Sequence, residues 1–531
     1  MKRVLIANRG EIAVRVARGC RLLGIDSVAV FSEADAGARH VREADLAVCI
    51  GPAAATESYL SIPALLEAAR KTGADAVHPG YGFLSENAAF ARAVQDAGMT
   101  WIGPPADVID QLEGKSASKA IAVDAGVPVA AARRLQGDSD AELQAILDEL
   151  GLPLLVKPEH GGGGKGMARV HRPEELRPAI EAARRVAAKA FASDALFVER
   201  LIENARHVEV QVLADRHGGV THVFERECSL QRRHQKVIEE APCAVLSDTE
   251  RAAICESGRA FAARVGYEGA GTVEFLFDPV RREHMFLEMN TRLQVEHPVT
   301  EMITGVDLVV AQLRIARGER LETIAGLRDG GPSRRGVALE ARIYAEDPAA
   351  GYLPQTGRLE RVVWPDGPFV RVDCGYEQGD VVGHHYDPLL AKLIVWGADR
   401  EQALDRLAAA LDDTVLHGVR SNLGLLRALC DRPEVRAAEM HTGMLDAVYA
   451  DRGPGIDADL PALLSTEPMT AAAAMPDAAL LLAAAAVAGP GGPLAGARAG
   501  GSAESAEAPG LGGRDPYVTL AGFRSGAGGA A

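Results

Sequence analysis

The sequence predicts an α/β protein of several parts that begins on a parallel sheet, and three observations carry that prediction. Strand-like and helix-like runs alternate from the first residues, the pattern that buries a parallel sheet between helices. A long middle stretch, from Val208 to about Val299, reads as strands with charged side chains in alternation. The composition, 47% apolar and 24% charged, is that of a globular chain and excludes disordered, collagen-like and coiled-coil classes.

Taken in order, Arg3-Val4-Leu5-Ile6-Ala7 is a compact apolar run ending at Asn8-Arg9-Gly10. A helix-compatible segment with Ile12, Val14, Val16 and Ala17 follows, then the strand Ser27 to Phe31. Ser61 is placed to cap a helix with Pro63 in its first turn, an apolar face of Leu65, Leu66 and Ala69, and Gly73 as its stop before the strand Ala76-Val77. The start is Rossmann-like, but the first strand-to-helix turn lacks G-x-G-x-x-G, so no dinucleotide site is expected. A second unit begins near residue 115 and carries glycines 161–164. A third runs from about Gly336 to Tyr449, with strands at Val337 to Tyr344 and Leu390 to Trp396 and a helix from about Arg400 to Leu411. After Asp451 the chain turns to Ala, Gly and Pro, as a linker-like tail would.

The length of 531 residues allows a sizeable core, roughly three to five domains or one composite enzyme. Lys and Arg number 57 against 73 Asp and Glu, a net charge of −16, so nucleic acid and membrane surfaces are poor partners, although a cleft can hide a local positive field. Seven cysteines without a C-x-x-C pair fit neither a disulfide scaffold nor a structural zinc site and point to the reducing cytoplasm. The apolar start is too short for a signal peptide, and the run Ala478 to Ala488 falls well short of the roughly 20 residues of a membrane helix.

Glycines 161–164 with Lys165 and Gly166 follow Leu154-Leu155-Val156-Lys157. Backbone amides without side chains can approach phosphate oxygens, with Lys157 and Lys165 supplying charge; a plain surface loop reads equally from the glycines alone. Gly114-Lys115-Ser116 has the ending of a Walker A loop, but Ile109 stands where that motif needs glycine. In an extended chain Glu288, Asn290, Arg292, Gln294 and Glu296 share one face, over Met289, Leu293 and Val295. Glu288 and Asn290, with Glu274 from a neighbouring strand, are hard oxygen donors suited to Mg²⁺. A solvated sheet face is the plainer alternative, but Gln231 to Lys236 and Glu340, Arg342, Tyr344 repeat the alternation. Converging acids and bases of this kind suit a metal nucleotide bound beside an anion.

At these residues the chain resembles the biotin carboxylase family, whose members are ATP-grasp enzymes. The likeness is carried by His78-Pro79-Gly80-Tyr81-Gly82-Phe83-Leu84-Ser85-Glu86-Asn87, the glycine loop, Gln231 to Pro242 and Glu288 to Glu301, and it runs over about residues 1–450. It implies an N-terminal (pre-ATP-grasp) domain at 1–113, an ATP-grasp domain at 114–330 with a mobile lid at about 130–203, a C-terminal biotin carboxylase domain at 335–447 and a tail at 448–531. By that resemblance Lys115, Lys157, Gly163, Gly164, Glu199, Arg200, Leu201, Ile202, His207, Gln231 and His234 are nucleotide contacts. Glu274, Glu288 and Asn290 are the ligands of Mg²⁺ or Mn²⁺. Lys236, Arg292, Gln294 and Val295 form the bicarbonate pocket, Glu296 is the base, Arg342 stabilises the biotin enolate, and Tyr81 and Gly82 border the substrate. The implied reaction carboxylates the biotin ureido nitrogen with ATP and bicarbonate through carboxyphosphate.

Three departures stand out. Phe224 occupies a usual glycine position, Cys243-Ala244-Val245 replaces Ala-Pro-Gly or Ala-Pro-Ser, and Glu159-His160 replaces small residues before the lid; lowered activity is the expectation. No Ala-Met-Lys-Met biotinylation motif occurs, so the biotin is expected on a separate carrier chain or domain. Asp515-Pro516-Tyr517 through Arg524 faintly resembles the opening of the carrier-linking domain of acyl-CoA carboxylase α-subunits. Tyr386-Asp387-Pro388 and Ala391-Lys392-Leu393 lean the same way. The implied partners are a second copy of the chain, a biotinylated carrier and a carboxyltransferase β-subunit. Two alternatives remain: an ATP-grasp ligase acting on another carboxylate, and a catalytically weak structural subunit.

Overall fold

The computed structural model describes residues 1–159, 166–191, 193–232, 235–327 and 331–446. The glycine run with Gly163 and Gly164, His234 and the tail lie outside the described residues.

The first five strands are β1 (Arg3–Ile6), β2 (Asp26–Ser32), β3 (Leu46–Gly51), β4 (Ala76–His78) and β5 (Thr100–Trp101). They form one sheet in the order β3-β2-β1-β4-β5, with every neighbouring pair parallel. Val4, Leu5, Ile6, Val28 and Val30 are buried, as strands covered on both faces require. The helix Ile62–Thr72 starts as its residues dictate: Ser61 accepts from the Ala64 amide, and Gly73 at φ 66° ends it. Helix Gly10–Leu22 packs Ile12, Ala13, Val16 and Cys20 against Leu308, Val309 and Leu313. That approach is close, since a Cβ on Gly19 would lie 2.8 Å from Val309 Cγ1.

Strands β6 (Ala132–Arg134), β7 (Leu154–Pro158), β8 (Ala168–Val170) and β9 (Leu196–Arg200) make a four-stranded antiparallel sheet. Helices Asp140–Leu150 and Leu176–Phe191 give it a core of its own, with Ile146, Leu154, Val156, Ile180 and Val198.

The largest sheet has eight strands and is antiparallel throughout. Its members are β10 (Arg206–Ala214), β11 (Val220–Arg232), β12 (Gln235–Ala241), β13 (Gly269–Asp278), β14 (Glu283–Asn290) and β15 (Val337–Tyr344). Three two-stranded ribbons follow: β16 (Glu346–Asp347) with β17 (Leu353–Pro354), β18 (Gly357–Arg358) with β21 (Val381–Val382), and β19 (Arg361–Val363) with β23 (Val415–His417). Strands β20 (Val370–Cys374) and β22 (Leu389–Gly397) complete the large sheet, whose order is β14-β13-β10-β11-β12-β15-β22-β20. Helix Arg400–Asp412 covers it through Leu404, Leu407 and Leu411.

Register then does the work of bringing charges together. Arg226, Glu209, Glu274 and Glu288 stand directly opposite one another across β11, β10, β13 and β14, so a single row carries one guanidinium and three carboxyls. Several register shifts interrupt the neighbouring strand pairs, and two of them shape the site. In β11 an extra residue separates His222 from Glu225, opposite Val212 and Val210. In β12 an extra residue separates Lys236 from Ile238, opposite Gln231 and Leu230. A bulge breaks the two-residue period: Val237 and Ile238 both enter the core, while Lys236 and Glu239 both face the charged cluster. Among the described residues no helix is long and apolar enough to cross a membrane.

Candidate active site

Lys236 is the centre of the cluster. Its Nζ lies 2.5 Å from Glu209 Oε2, 2.5 Å from Glu296 Oε1 and 3.1 Å from Glu274 Oε1. Burial alone would drive off its proton, but Cys228 and these carboxylates outweigh burial and hold its pKa well above the usual lysine range. Glu296 shows the converse. Burial favours its protonated form, yet Lys236, Arg342 and Arg226 keep its carboxyl well below the usual range. Arg342 Nη2 donates to Glu296 Oε2 at 2.8 Å, so each oxygen of this buried carboxylate has its own cation.

The extended-chain expectation for 288–296 holds only as far as Asn290, where β14 ends. Residues 291–296 leave the sheet as a loop, and Glu296 is the N-cap of helix His297–Thr304. The side chains converge nonetheless. Asn290 Nδ2 and Gln294 Nε2 donate to Glu274 Oε1 at 2.9 and 3.1 Å. Arg292 donates to Asn290 Oδ1 and Gln294 Oε1, each at 3.2 Å, and its Nε is 3.0 Å from Glu86 Oε2. The loop is tied from behind by Lys392, which is fully buried and donates to the Val295 carbonyl at 2.9 Å. Lys392 also lies 3.2 Å from Glu11 Oε1, and Glu11 accepts from the Tyr81 hydroxyl. Tyr81, Glu11, Lys392 and Val295 are thus one connected line. Gly82 follows at φ 68°, a backbone conformation that favours glycine.

His207 Nε2 lies 3.0 Å from Glu274 Oε2. Burial opposes its charge, but Glu274 prevails and raises its pKa. Opposite Glu274 in register, the half-buried Glu288 has its pKa raised by burial first and by Glu274 second. Glu274 is held ionised by Lys236 and His207, Glu288 faces it in register, and Asn290 adds an amide whose oxygen accepts from Arg292; carboxylate and amide oxygens are hard donors of the kind a divalent cation takes. Glu274, Glu288 and Asn290 therefore fit the metal by donor chemistry.

Lys157 and Lys119 both pair with the buried Glu199, and Lys115 has its pKa lowered by burial, with Glu288 acting against that. The Arg200 and Leu201 amides donate to Ala131 and Pro153 carbonyls at 3.1 and 2.9 Å. They pin the segment that runs on to the buried Ile202. Gln231, also buried, sits opposite Lys236.

Two of the departures have physical accounts. Phe224 has φ 63° in the β11 bulge, a left-handed conformation that explains glycine as the usual occupant. Its ring packs edge-on to His222 at 5.5 Å and 5.8 Å from the Arg334 guanidinium, and the register recovers at Glu225. Glu159 accepts from the Ser116 amide at 3.3 Å, at the positive end of helix Lys115–Asp124. At the third, the buried Cys243 thiol donates to Glu227 at 2.8 Å.

Sequence reasoning missed Glu209, Glu239, Lys119, Glu11 and Lys392. A signal for Glu209 was present, because His207, Glu209 and Gln211 alternate along β10 as the singled-out residues do along β14.

Three family models match the chain in order: Biotin carboxylase, N-terminal domain at 1–109, Carbamoyl-phosphate synthase L chain, ATP binding domain at 114–324, and Biotin carboxylase C-terminal domain at 340–447. A pyruvate carboxylase component from Methanothermobacter thermautotrophicus is 44% identical over 459 residues, 86% of this chain and 91% of the relative. The chain belongs to the biotin carboxylase family. Among solved biotin carboxylases, the domain dimer of Hydrogenobacter thermophilus 2-oxoglutarate carboxylase, in complex with MgADP, ADP and bicarbonate, is 42% identical with a TM-score of 0.78, covering 84% of this chain and 97% of that one. The Campylobacter jejuni biotin carboxylase, solved as a β-γ-ATP complex, is 38% identical with a TM-score of 0.80, covering 84% and 98%. The methylcrotonoyl-CoA carboxylase α-subunit of Oryza sativa subsp. japonica, a mitochondrial protein, is 49% identical over 455 residues. This biotin carboxylase chain spans 85% of itself but only 60% of that relative in the match.

Proposed function

We propose that this chain carboxylates the ureido nitrogen of biotin with ATP and bicarbonate, as the first half-reaction of an acyl-CoA carboxylase. The observation that carries the reading is the buried Glu296 carboxylate set between Lys236 and Arg342. Glu296 is ionised and directed, and bicarbonate competing for Lys236 raises its proton affinity where the proton must be taken. Arg292 and Gln294 orient the bicarbonate, with the Val295 backbone fixed by Lys392. Arg342 places a permanent cation beside the oxygen that gains charge on biotin. Glu274, Glu288 and Asn290 hold Mg²⁺ or Mn²⁺, which supplies charge neutralisation at the transferring phosphate. Lys115, Lys157, His207, Gln231, His234, the segment Glu199 to Ile202 and glycines 163 and 164 bind the nucleotide.

In this reading the domains are 1–113, 114–330 with a lid at about 130–203, and 335–447, followed by a tail at 448–531. Tyr81 and Gly82 border the substrate. Biotin arrives on a separate carrier, a carboxyltransferase β-subunit completes the reaction, and two chains pair. All seven cysteines are free, which supports a reducing compartment such as the cytoplasm, although the rice relative is mitochondrial. The test is ATP cleavage with and without bicarbonate and free biotin. Cleavage should require bicarbonate and rise with biotin; cleavage that proceeds without bicarbonate overturns the reading.

A further inference from the structure

Glu239 has no role in the reaction set out above, yet it touches the centre of the site. It is fully buried on β12, and the β12 bulge turns it to the same side as Lys236. Its Oε1 lies 2.5 Å from Arg342 Nη2, the same nitrogen that donates to Glu296 Oε2 at 2.8 Å. One end of the guanidinium is therefore shared between two carboxylates, one on a loop and one fixed in the middle of a sheet between β11 and β15.

We propose that Glu239 is a positioning residue that holds the Arg342 guanidinium in place for the biotin step when Glu296 takes up the bicarbonate proton. The inference rests on the roles given to Glu296 and Arg342 under Proposed function and extends them. In the resting site Glu296 attracts Arg342 as an anion. Once protonated it is neutral, and a charge-assisted contact becomes an ordinary hydrogen bond of about half the strength. Arginine stays charged throughout, and a buried guanidinium without a counter-ion carries a large desolvation penalty. Glu239 supplies that counter-ion from a rigid strand.

The cross-strand neighbour strengthens the case. Glu340 stands directly opposite Glu239 in register, and its carboxyl is fully buried with no hydrogen-bond partner among the described residues. Two carboxyls on adjacent strands thus flank one end of Arg342, and Lys392 lies opposite Arg342 on the next strand. Burial pushes both carboxyls toward their protonated forms, and Arg342 acts against that at Glu239 as Lys392 does at Glu340, so the charge on Glu239 and that on the guanidinium support each other.

The test compares two rates in one protein: ATP cleavage with bicarbonate alone, and the stimulated rate when free biotin is added. Glu239→Gln keeps the shape and removes the charge. It should lower the ratio of stimulated to unstimulated cleavage by roughly tenfold or more, the scale of a misplaced catalytic group. With Arg342→Met already present, the same change should alter the ratio less than about twofold, because residues acting through one group are not additive. An unchanged ratio, an equal fall in both rates, or a further tenfold loss beside Arg342→Met would each overturn the proposal. If Glu239→Gln does not fold, Glu239→Asp draws the same charge back by one methylene and is held to the same ratio. A wild type whose ATP cleavage ignores biotin overturns the parent reading, and this inference with it.

Discussion

Glu296→Gln should reduce bicarbonate-dependent ATP cleavage by about a hundredfold or more, the scale on which general bases contribute, while ATP binding measured by calorimetry survives. The substitution preserves volume and hydrogen bonding but not charge. Both cations on Glu296, Lys236 at 2.5 Å and Arg342 at 2.8 Å, would lose an anionic partner, and each has another within reach: Glu209 for Lys236 and Glu239 for Arg342. The cluster should therefore keep its shape while losing its base. Lys236, Arg342 and Arg226 outweigh burial and keep Glu296 ionised across the neutral range, so the loss should be the same at pH 7 and pH 8. Turnover within threefold of wild type would remove Glu296 from the role of base.

The second large effect concerns stability. Arg226 is fully buried and donates to Glu209 Oε1 at 2.5 Å, Gln211 Oε1 at 2.7 Å, Thr300 Oγ1 at 3.0 Å and Thr272 Oγ1 at 3.1 Å. It joins β11 and β10 to β13 and to helix His297–Thr304, directly beneath Lys236 and Glu296. Arg226→Met fills the space but strands these acceptors, and breaking a buried ionic network from one side costs about 3–5 kcal/mol. The midpoint of urea unfolding should fall accordingly, and turnover should fall too, because Glu209 then draws only on Lys236 and His207. A midpoint equal to that of the wild type would show that the network contributes nothing net.

How much of this was legible beforehand depends on the distance over which the cause acts. The helix between Ser61 and Gly73 was readable because caps and stops are local. The N-terminal sheet was readable because strands covered on both faces are apolar throughout. The polar face of β14 was readable as far as Asn290, because side-chain alternation is a property of the strand itself. Beyond Asn290 the reading reached the right residues with the wrong backbone: Arg292, Gln294 and Glu296 meet Glu274 and Lys236 from a loop. Glu239 stayed hidden because a bulge reverses the parity that alternation relies on, and a bulge depends on the partner strand. Lys392 stayed hidden because its contact with Val295 spans 97 residues, and Glu11 because its partners Tyr81 and Lys392 lie on separate elements. The net charge of −16 obscured the site for a related reason: Lys236, Arg292 and Arg342 gather only when the large sheet and its loop are assembled.

The most direct measurement is the fate of labelled bicarbonate. With MgATP and free biotin present, label should appear on biotin in proportion to the ATP cleaved, and should vanish when ATP is omitted. ATP cleaved steadily with no label on biotin would contradict the assignment of this chain as a catalyst of biotin carboxylation.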